Sequence, residues 1–328
     1  MTTSNADKIV TVFGGSGFLG RNVVRALAKK GYRIRVAIRR PELASHLQPL
    51  GGVGQIQLIQ TNLRYSWSVA RAVEGAHAVV NCVGLLFETG KQSFESIHVS
   101  GAAFIAQAAT DAGVKKLMHV SAIGASDDSN SDYARTKFRG EEAIKSGFPE
   151  ATIMRPSVIF GAEDGFFNKF AAISRISPFL PLIGGGETLF QPVYVGDVSD
   201  AIVAAVDGTA KSGCTYELGG PDTETFAGLM ADMLVLICRN TRLIKMPWSV
   251  ASFMGTIAGW LPKPVFTADQ VELLKSDNIV GKSAIDAGLT LEGLFIKPRA
   301  MASILPGYLW TYREHGQFTS NREKSSQG

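Results

Sequence analysis

Ile9-Val10-Thr11-Val12-Phe13 runs directly into Gly14-Gly15-Ser16-Gly17-Phe18-Leu19-Gly20. The apolar run reads as a buried strand. The glycines read as a turn where the strand stops sharply, the backbone approaches a pyrophosphate, and a helix begins with its N–H groups aimed at that anion. Glycine-rich turns are common, so the flanking sequence has to carry the reading. Leu19, Val23, Val24 and Leu27 fall on one helical stripe, and Gly31 stands where a helix ends. Ile34, Val36 and Ile38 then alternate through residues 32–38 as a second strand. Together these form the βαβ unit that binds a dinucleotide.

The end of the second strand selects the cofactor. An acidic residue about twenty positions beyond the glycines would accept the ribose hydroxyls of NAD, whereas arginine there accommodates the 2′-phosphate of NADP. The strand ends Ile38-Arg39-Arg40-Pro41. Two guanidiniums and no carboxylate favour NADP(H) over NAD(H), because arginine pairs with phosphate in a bidentate fork. The alternative is a solvated strand end.

Strand and helix keep alternating. Residues 55–60, 78–83, 117–121 and 152–154 read as further strands, with helices around 66–73 and 94–112. That alternation predicts an α/β fold, a doubly wound parallel sheet of Rossmann type with ligand at the carboxyl ends of the strands. Asn62 and Leu63 follow the third strand, where they would touch the adenine. Cys82, Val83 and Gly84 end the fourth, where the glycine would let the backbone pass beside the cofactor. Each is singly compatible with an ordinary turn; their shared placement at successive strand ends favours binding.

The candidate chemistry lies in Ser121, Tyr133 and Lys137. Tyrosine and lysine four apart on a helix share one face. An ammonium there lowers the phenol from its ordinary value and orients the nicotinamide ribose, so that the phenol can exchange a proton while hydride moves. Ser121, twelve residues before Tyr133 at a strand end, would hold the substrate oxygen.

The chain has 328 residues, 45% of them hydrophobic, enough for such a domain plus a smaller appended lobe. A net charge of +4 from 33 basic and 29 acidic residues, without long basic runs, argues against nucleic acid as a partner. Cys82, Cys214 and Cys238 are too few and too scattered for a disulfide framework, and His46, His77, His98, His119 and His315 lack metal-ligand spacing. No metal is therefore expected. Cys82 and His119 read as core residues. The few scattered cysteines suggest a reducing compartment, and a first strand beginning near Lys8 leaves no room for a signal peptide or transit sequence unless a leader has already been removed.

Over essentially its whole length the chain resembles the atypical and extended short-chain dehydrogenase/reductases. The resemblance rests on Gly14 to Gly20, Asn81 to Gly84, Ser121, Tyr133 with Lys137, and Arg155-Pro156-Ser157-Val158-Ile159-Phe160-Gly161. Further stretches, His119 to Ala125, Gln191-Pro192-Val193-Tyr194-Val195-Gly196-Asp197-Val198 and Tyr216 to Pro221, look most like bacterial relatives of the NAD(P)-binding accessory subunit of respiratory complex I. That resemblance implies a tightly held NADPH contacted also by Tyr133, Lys137, Pro156, Ser157 and Val158, and a largely structural role. It also implies a place beside complex I subunits near the membrane-arm junction, on the cytoplasmic face of a bacterial inner membrane or the matrix side in an organelle. Two departures stand out. His98-Val99-Ser100-Gly101 replaces an Asn-Val-x-Gly run, which weakens a proton relay, and Asn62 replaces a more usual aspartate.

The expected division is a cofactor domain over 7–161, a smaller C-terminal lobe over 162–318 that returns to the sheet near 215–219, and a polar, disordered tail over 319–328. Asp197 reads as the N-cap of a helix over 198–206. Gly184-Gly185-Gly186 with Pro178, Pro181 and Pro192 suggest a loop over a pocket mouth, where Phe166, Phe167 and Phe170 line a substrate or simply pack the lobe. Trp248, Val250, Phe253, Met254, Ile257, Trp260 and Leu261 make residues 248–261 almost wholly apolar. A helix of that length spans roughly 21 Å, short of the ~30 Å hydrocarbon core, so it is either a docking face for a membrane assembly or headgroup zone, or a buried helix. Two functions are thus expected: an NADP(H)-holding accessory subunit with a vestigial Ser121, Tyr133 and Lys137 set, or an active NADP(H)-dependent reductase, epimerase or dehydratase on a small carbonyl or alcohol.

Overall fold

The computed structural model of the chain describes residues 5–258 and 266–314. Two compact units emerge. The first runs to Pro156 and takes back Val195–Gly219 and Val280–Lys297; the second holds Ser157–Tyr194, Gly220–Ile279 and the chain from Pro298 onward.

The first unit is built on a seven-stranded parallel sheet. Its strands are β1 (Ile9–Phe13), β2 (Arg33–Ile38), β3 (Ile56–Gln60), β4 (Ala78–Asn81), β5 (Lys116–Val120), β6 (Thr152–Pro156) and a return strand, Thr215–Leu218. Across the sheet the order is return strand, β6, β5, β4, β1, β2, β3. The chain winds outward from β1 to β3, then crosses back to β4, so its direction reverses between β1 and β4. Ligands of such sheets bind at that reversal, outside the carboxyl ends.

Both faces of β1 are covered, which explains its unbroken apolar run. Thr11 donates its hydroxyl to the carbonyl of Ala72 at 2.8 Å, in α2 (Ser66–Val73). By the two-residue period of a strand, Val10 and Val12 face the opposite side, toward α1 (Phe18–Lys29). Both valines are fully buried, each worth about 1.5–3 kcal/mol. The α2 side also packs α3 (Gly101–Asp111) and α4 (Asp132–Gly147) through Val69, Ala106, Leu117, Ile144 and Ile153. The helix Val195–Asp207 packs on α1, where Tyr32 donates to Asp207 at 2.6 Å.

The expected helix over 94–112 is two pieces. A π-helical turn, Glu95–Ser100, precedes α3. Its wider winding displaces one residue from the α-helical stripe, and His98 is buried there.

The expected boundaries at 161 and 162–318 also shift. The first unit's chain leaves at Pro156 and returns twice, because the return strand pairs with β6 and the later segment anchors on it. Gly281 N–H donates to Glu217 Oε2 at 2.7 Å, and Glu217 N–H donates to the carbonyl of Leu289 at 2.9 Å. Asp197 is not an N-cap. The helix begins at Val195, which places the buried Asp197 within its first turn, where a carboxylate suits the helix dipole.

In the second unit Phe160, Phe167, Phe190 and Phe226 form an aromatic core with Met230 and Leu305, and Phe166 and Phe170 pack against it. Of the three phenylalanines expected at a pocket mouth, Phe166 and Phe170 pack against this core, whereas Phe167 is buried in it and also borders a cavity with Leu229, Met301 and Leu305. The expected proline loop contains a strand, Phe179–Ile183, paired in parallel with Arg242–Met246. Gly184 then lies so close under the Trp248 indole that a Cβ would stand 1.9 Å from the ring. Trp248 begins the helix Trp248–Ala258, whose Ala251 and Gly255 are buried. Val250, Phe253, Met254 and Ile257 on its other side are exposed. Residues 259–261, His315 and the tail 319–328 lie outside the described residues. Among the described residues no helix is long and apolar enough to cross a membrane.

Candidate functional site

The glycine turn sits where the topology reverses. Gly14 follows β1 with φ +73°, and a Cβ there would stand 3.0 Å from the Val83 side chain and 3.3 Å from the Cys82 carbonyl carbon. The turn and the loop after β4 therefore run side by side. Gly20 packs tighter still: a Cβ would stand 2.2 Å from the Gly14 carbonyl oxygen. Gly17 N-caps α1 without a side chain and the first helical turn carries no acid, which suits an anion at its N–H groups. Arg21 folds back over the turn, donating to the carbonyl of Gly17 at 3.3 Å and of Ser16 at 3.5 Å. Sequence reasoning missed this second source of positive charge; its signal is an arginine one residue past the last glycine.

The neighbouring strand ends are less uniform. Arg39 and Arg40 are exposed just beyond β2. Thr61 N–H, which follows β3, donates to the carbonyl of Ile38 at 2.8 Å, so the two ends are adjacent. Asn62 closes its own turn, its Oδ1 accepting from Arg64 N–H at 3.1 Å. The Leu63 side chain belongs to the core beneath α3, which leaves its backbone as the part nearest the surface.

Asn81 organises the end of β4. Its Oδ1 accepts from Val83 N–H at 3.1 Å, so its amide nitrogen is the group 3.0 Å from His119 Nδ1. An amide N–H donates, hence His119 accepts at Nδ1 and carries its proton at Nε2. His119 lies in β5 and is buried, whereas Cys82 falls one residue past β4. Burial pushes the Cys82 thiol up to about 12, which keeps it protonated and unreactive.

Ser121 follows β5, with its N–H donating to the carbonyl of Met154 at 2.7 Å. Its hydroxyl is buried and has no hydrogen-bond partner among the described residues. Lys137 reaches the same strand end, its Nζ donating to the carbonyl of Val120 at 2.6 Å. Burial lowers Lys137 to about 8, against the opposing pull of Glu141 and Cys82. Tyr133, one turn earlier on α4, meets the His98 ring edge-on at 5.6 Å and 87°.

His98 is the hub that sequence reasoning treated only as a departure. Its Nε2 accepts from Leu85 N–H at 3.0 Å, so Nδ1 carries the proton and faces Thr136 Oγ1 at 3.1 Å. One imidazole thereby ties the loop after β4 to the helix that carries Tyr133 and Lys137. Burial, then the charge of Lys137, lowers His98 to about 3; the same two causes, with His98 itself, hold His119 well below its ordinary value. Both rings are neutral at physiological pH. Behind them Glu141, wholly buried, takes a bidentate pair from Arg155 at 2.9 and 2.7 Å.

Pro156 ends β6 and accepts from Ile123 N–H at 3.0 Å. Ser157 and Val158 open the second unit, where Asn278 holds them: Ser157 Oγ donates to its Oδ1 at 2.7 Å and Val158 N–H to the same oxygen at 3.1 Å. Those two polar groups are already satisfied within the lobe.

A parallel sheet with a glycine turn at its reversal and a Tyr-x-x-x-Lys helix defines the class. The chain belongs to the NAD dependent epimerase/dehydratase family, whose pattern it matches across residues 10–219. It is 37% identical over 320 residues to NADH dehydrogenase [ubiquinone] 1 alpha subcomplex subunit 9, mitochondrial, of Arabidopsis thaliana, covering 94% of this chain and 79% of that one. It is 32% identical over 314 residues to the NADH-ubiquinone oxidoreductase 40 kDa subunit, mitochondrial, of Neurospora crassa, covering 94% and 80%. Among solved structures, an NADPH-dependent quinone oxidoreductase of Escherichia coli complexed with NADPH superposes with a TM-score of 0.70 at 18% identity, covering 90% of this chain and 97% of that one. At that identity the likeness is one of fold.

Proposed function

We propose that this chain is an NADP(H)-holding accessory subunit of respiratory complex I, with the dinucleotide serving mainly as part of the folded structure. The observation that carries the reading is the similarity of nearly the whole chain to complex I subunits, at 37% identity over 94% of this chain and 79% of the relative. The residues present fit a dinucleotide. Gly17 caps α1 without a side chain, which leaves the first N–H groups open to a pyrophosphate, and Ser121 has a buried hydroxyl without a partner among the described residues. The exposed strand end at Arg39 and Arg40 carries no acid.

In this reading Gly14, Gly15, Ser16, Gly17, Phe18, Leu19 and Gly20 hold the pyrophosphate, with Arg21 adding charge. Arg39 and Arg40 take the 2′-phosphate, which selects NADP(H) over NAD(H). Asn62 and the Leu63 backbone border the adenine, while Cys82, Val83 and Gly84 run along the nicotinamide half. Lys137, Tyr133 and Ser121 meet the nicotinamide ribose and its ring, with Pro156 beyond them. The assembled protein lies on the cytoplasmic face of a bacterial inner membrane, or the matrix side in an organelle. The apolar side of Trp248–Ala258 contacts the membrane assembly.

Gentle detergent extraction of native membranes followed by sizing tests this. The chain should travel with complex I activity and carry NADPH; recovery only as a free protein rejects the reading.

The unpartnered Ser121 hydroxyl favours a second reading, an active NADP(H)-dependent reductase, epimerase or dehydratase. Bound dinucleotide would supply hydride. Ser121 would orient the substrate oxygen and Tyr133 would pass it a proton, with Lys137 holding the ribose. NADPH consumption over a carbonyl panel, compared with Tyr133→Phe, decides it; equal rates remove Tyr133 from the chemistry.

A further inference from the structure

On the first unit, past the end of β3, four exposed or half-exposed side chains form a cluster that the cofactor reading does not use. Tyr65 and Trp67 are 50% and 66% exposed, with ring centroids 6.4 Å apart and planes inclined by 34°. The Arg64 guanidinium lies over Tyr65 at 5.8 Å, and that of Arg71 over Trp67 at 5.9 Å. Arg71 is also held by the carbonyl of Gln60 at 3.2 Å. Neither guanidinium pairs with a carboxylate among the described residues, and the two rings leave half or more of their area exposed.

From this arrangement we infer that Arg64, Tyr65, Trp67 and Arg71 form a peripheral docking patch for an anionic lipid surface. Tyrosine and tryptophan, apolar bodies with a polar tip, suit the headgroup zone. Guanidiniums are drawn to lipid phosphates, each contributing modestly and in a salt-sensitive way. Four side chains fall well short of the roughly 1,000 Å² that a specific protein interface needs, whereas a headgroup layer demands no matching shape. Arginine stacked on an aromatic face keeps its charge while losing little freedom on contact. The patch belongs to the first unit and Trp248–Ala258 to the second, and the attraction of the patch depends on lipid charge where that of the helix does not. The inference does not rest on membership of complex I.

Sedimentation of the full chain with vesicles tests it. One set is phosphatidylcholine alone, the other phosphatidylcholine with phosphatidylglycerol in roughly a seven-to-three ratio. Wild type should prefer the anionic set, and added salt should erase the preference. Arg64→Glu with Arg71→Glu should reduce anionic binding about tenfold or more, and Trp67→Ser, which leaves charge untouched, by roughly threefold or more. Arg25→Glu with Lys29→Glu, an equal charge change at exposed positions on α1, should keep most of the binding. A far-ultraviolet circular dichroism spectrum and thermal midpoint matching those of wild type report that each variant is folded. The inference is overturned if wild type shows no anionic preference, if Trp67→Ser binds as wild type does, or if the α1 variant loses as much as the patch variant.

Discussion

Lys137 Nζ donates to the carbonyl of Val120 at 2.6 Å, the residue immediately before Ser121. The ammonium is thus tied to the strand end that carries the candidate serine, at the cost of its hydration. Burial lowers it to about 8 from the ordinary 10.5. Between those values the folded protein has released the proton and the unfolded chain still holds it, so stability rises with pH across that window. Wild type should gain on Lys137→Met from pH 7 to 10, read as the difference in thermal midpoints of the cofactor-free proteins.

His98 works in the same sense at acid pH. Its folded value of about 3 lies below the ordinary 6.5, so stability is lost as pH falls from 6.5 toward 3, where only the unfolded chain takes up the proton. His98→Gln, which can still accept from Leu85 N–H, should flatten that acid limb. Urea midpoints at pH 4 and 7 measure it; an unchanged slope would show that the ring is not carrying the linkage.

Arg155→Ala should destabilise more than Glu141→Ala. Losing the arginine strands a wholly buried carboxylate, which costs about 3–5 kcal/mol. Losing the carboxylate leaves Arg155 with Glu217 Oε1 at 3.7 Å and partial exposure. Urea denaturation of both variants ranks them, and the opposite order would contradict the pairing described.

Gly20→Ala places a methyl 2.2 Å from the Gly14 carbonyl oxygen, a backbone atom with little room to yield. The expected loss is about 1–3 kcal/mol, together with weaker NADPH binding. Gly307→Ala, in a short helix with nothing within 4 Å, should be neutral or slightly stabilising. Chemical denaturation of the pair separates close packing from a general intolerance of alanine.

Arg39→Ala with Arg40→Ala should weaken NADPH about tenfold or more, the worth of a charge-assisted contact, and leave NADH nearly unchanged. Fluorescence titration with each nucleotide reads the ratio. Equal losses would place the arginines away from the 2′-phosphate.

Residues 9–38 and the strand ends after β3, β4 and β5 were readable because strand and helix periods are local, and because Gly14 and Gly20 occupy positions that admit no side chain. Tyr133 and Lys137 were readable for the same reason, since a spacing of four on a helix sets a common face. The role of His98 was not. Its partners Leu85 and Thr136 lie in different elements, and a π-helical turn breaks the register that would have pointed inward. Phe166, Phe167 and Phe170 show the complementary limit, for aromatic composition does not distinguish a pocket wall from a core.

The order of residues along the chain therefore settles the parallel sheet, the glycine turn and the tyrosine–lysine face, each a consequence of backbone sterics acting over a few positions. The neutral histidines, the Glu141 and Arg155 pair, the two returns of the chain to the first unit and the exposed side of Trp248–Ala258 depend on contacts between distant segments. An apolar stripe dictates that a side chain be covered, but which segment covers it, and whether any does, is decided when the elements pack.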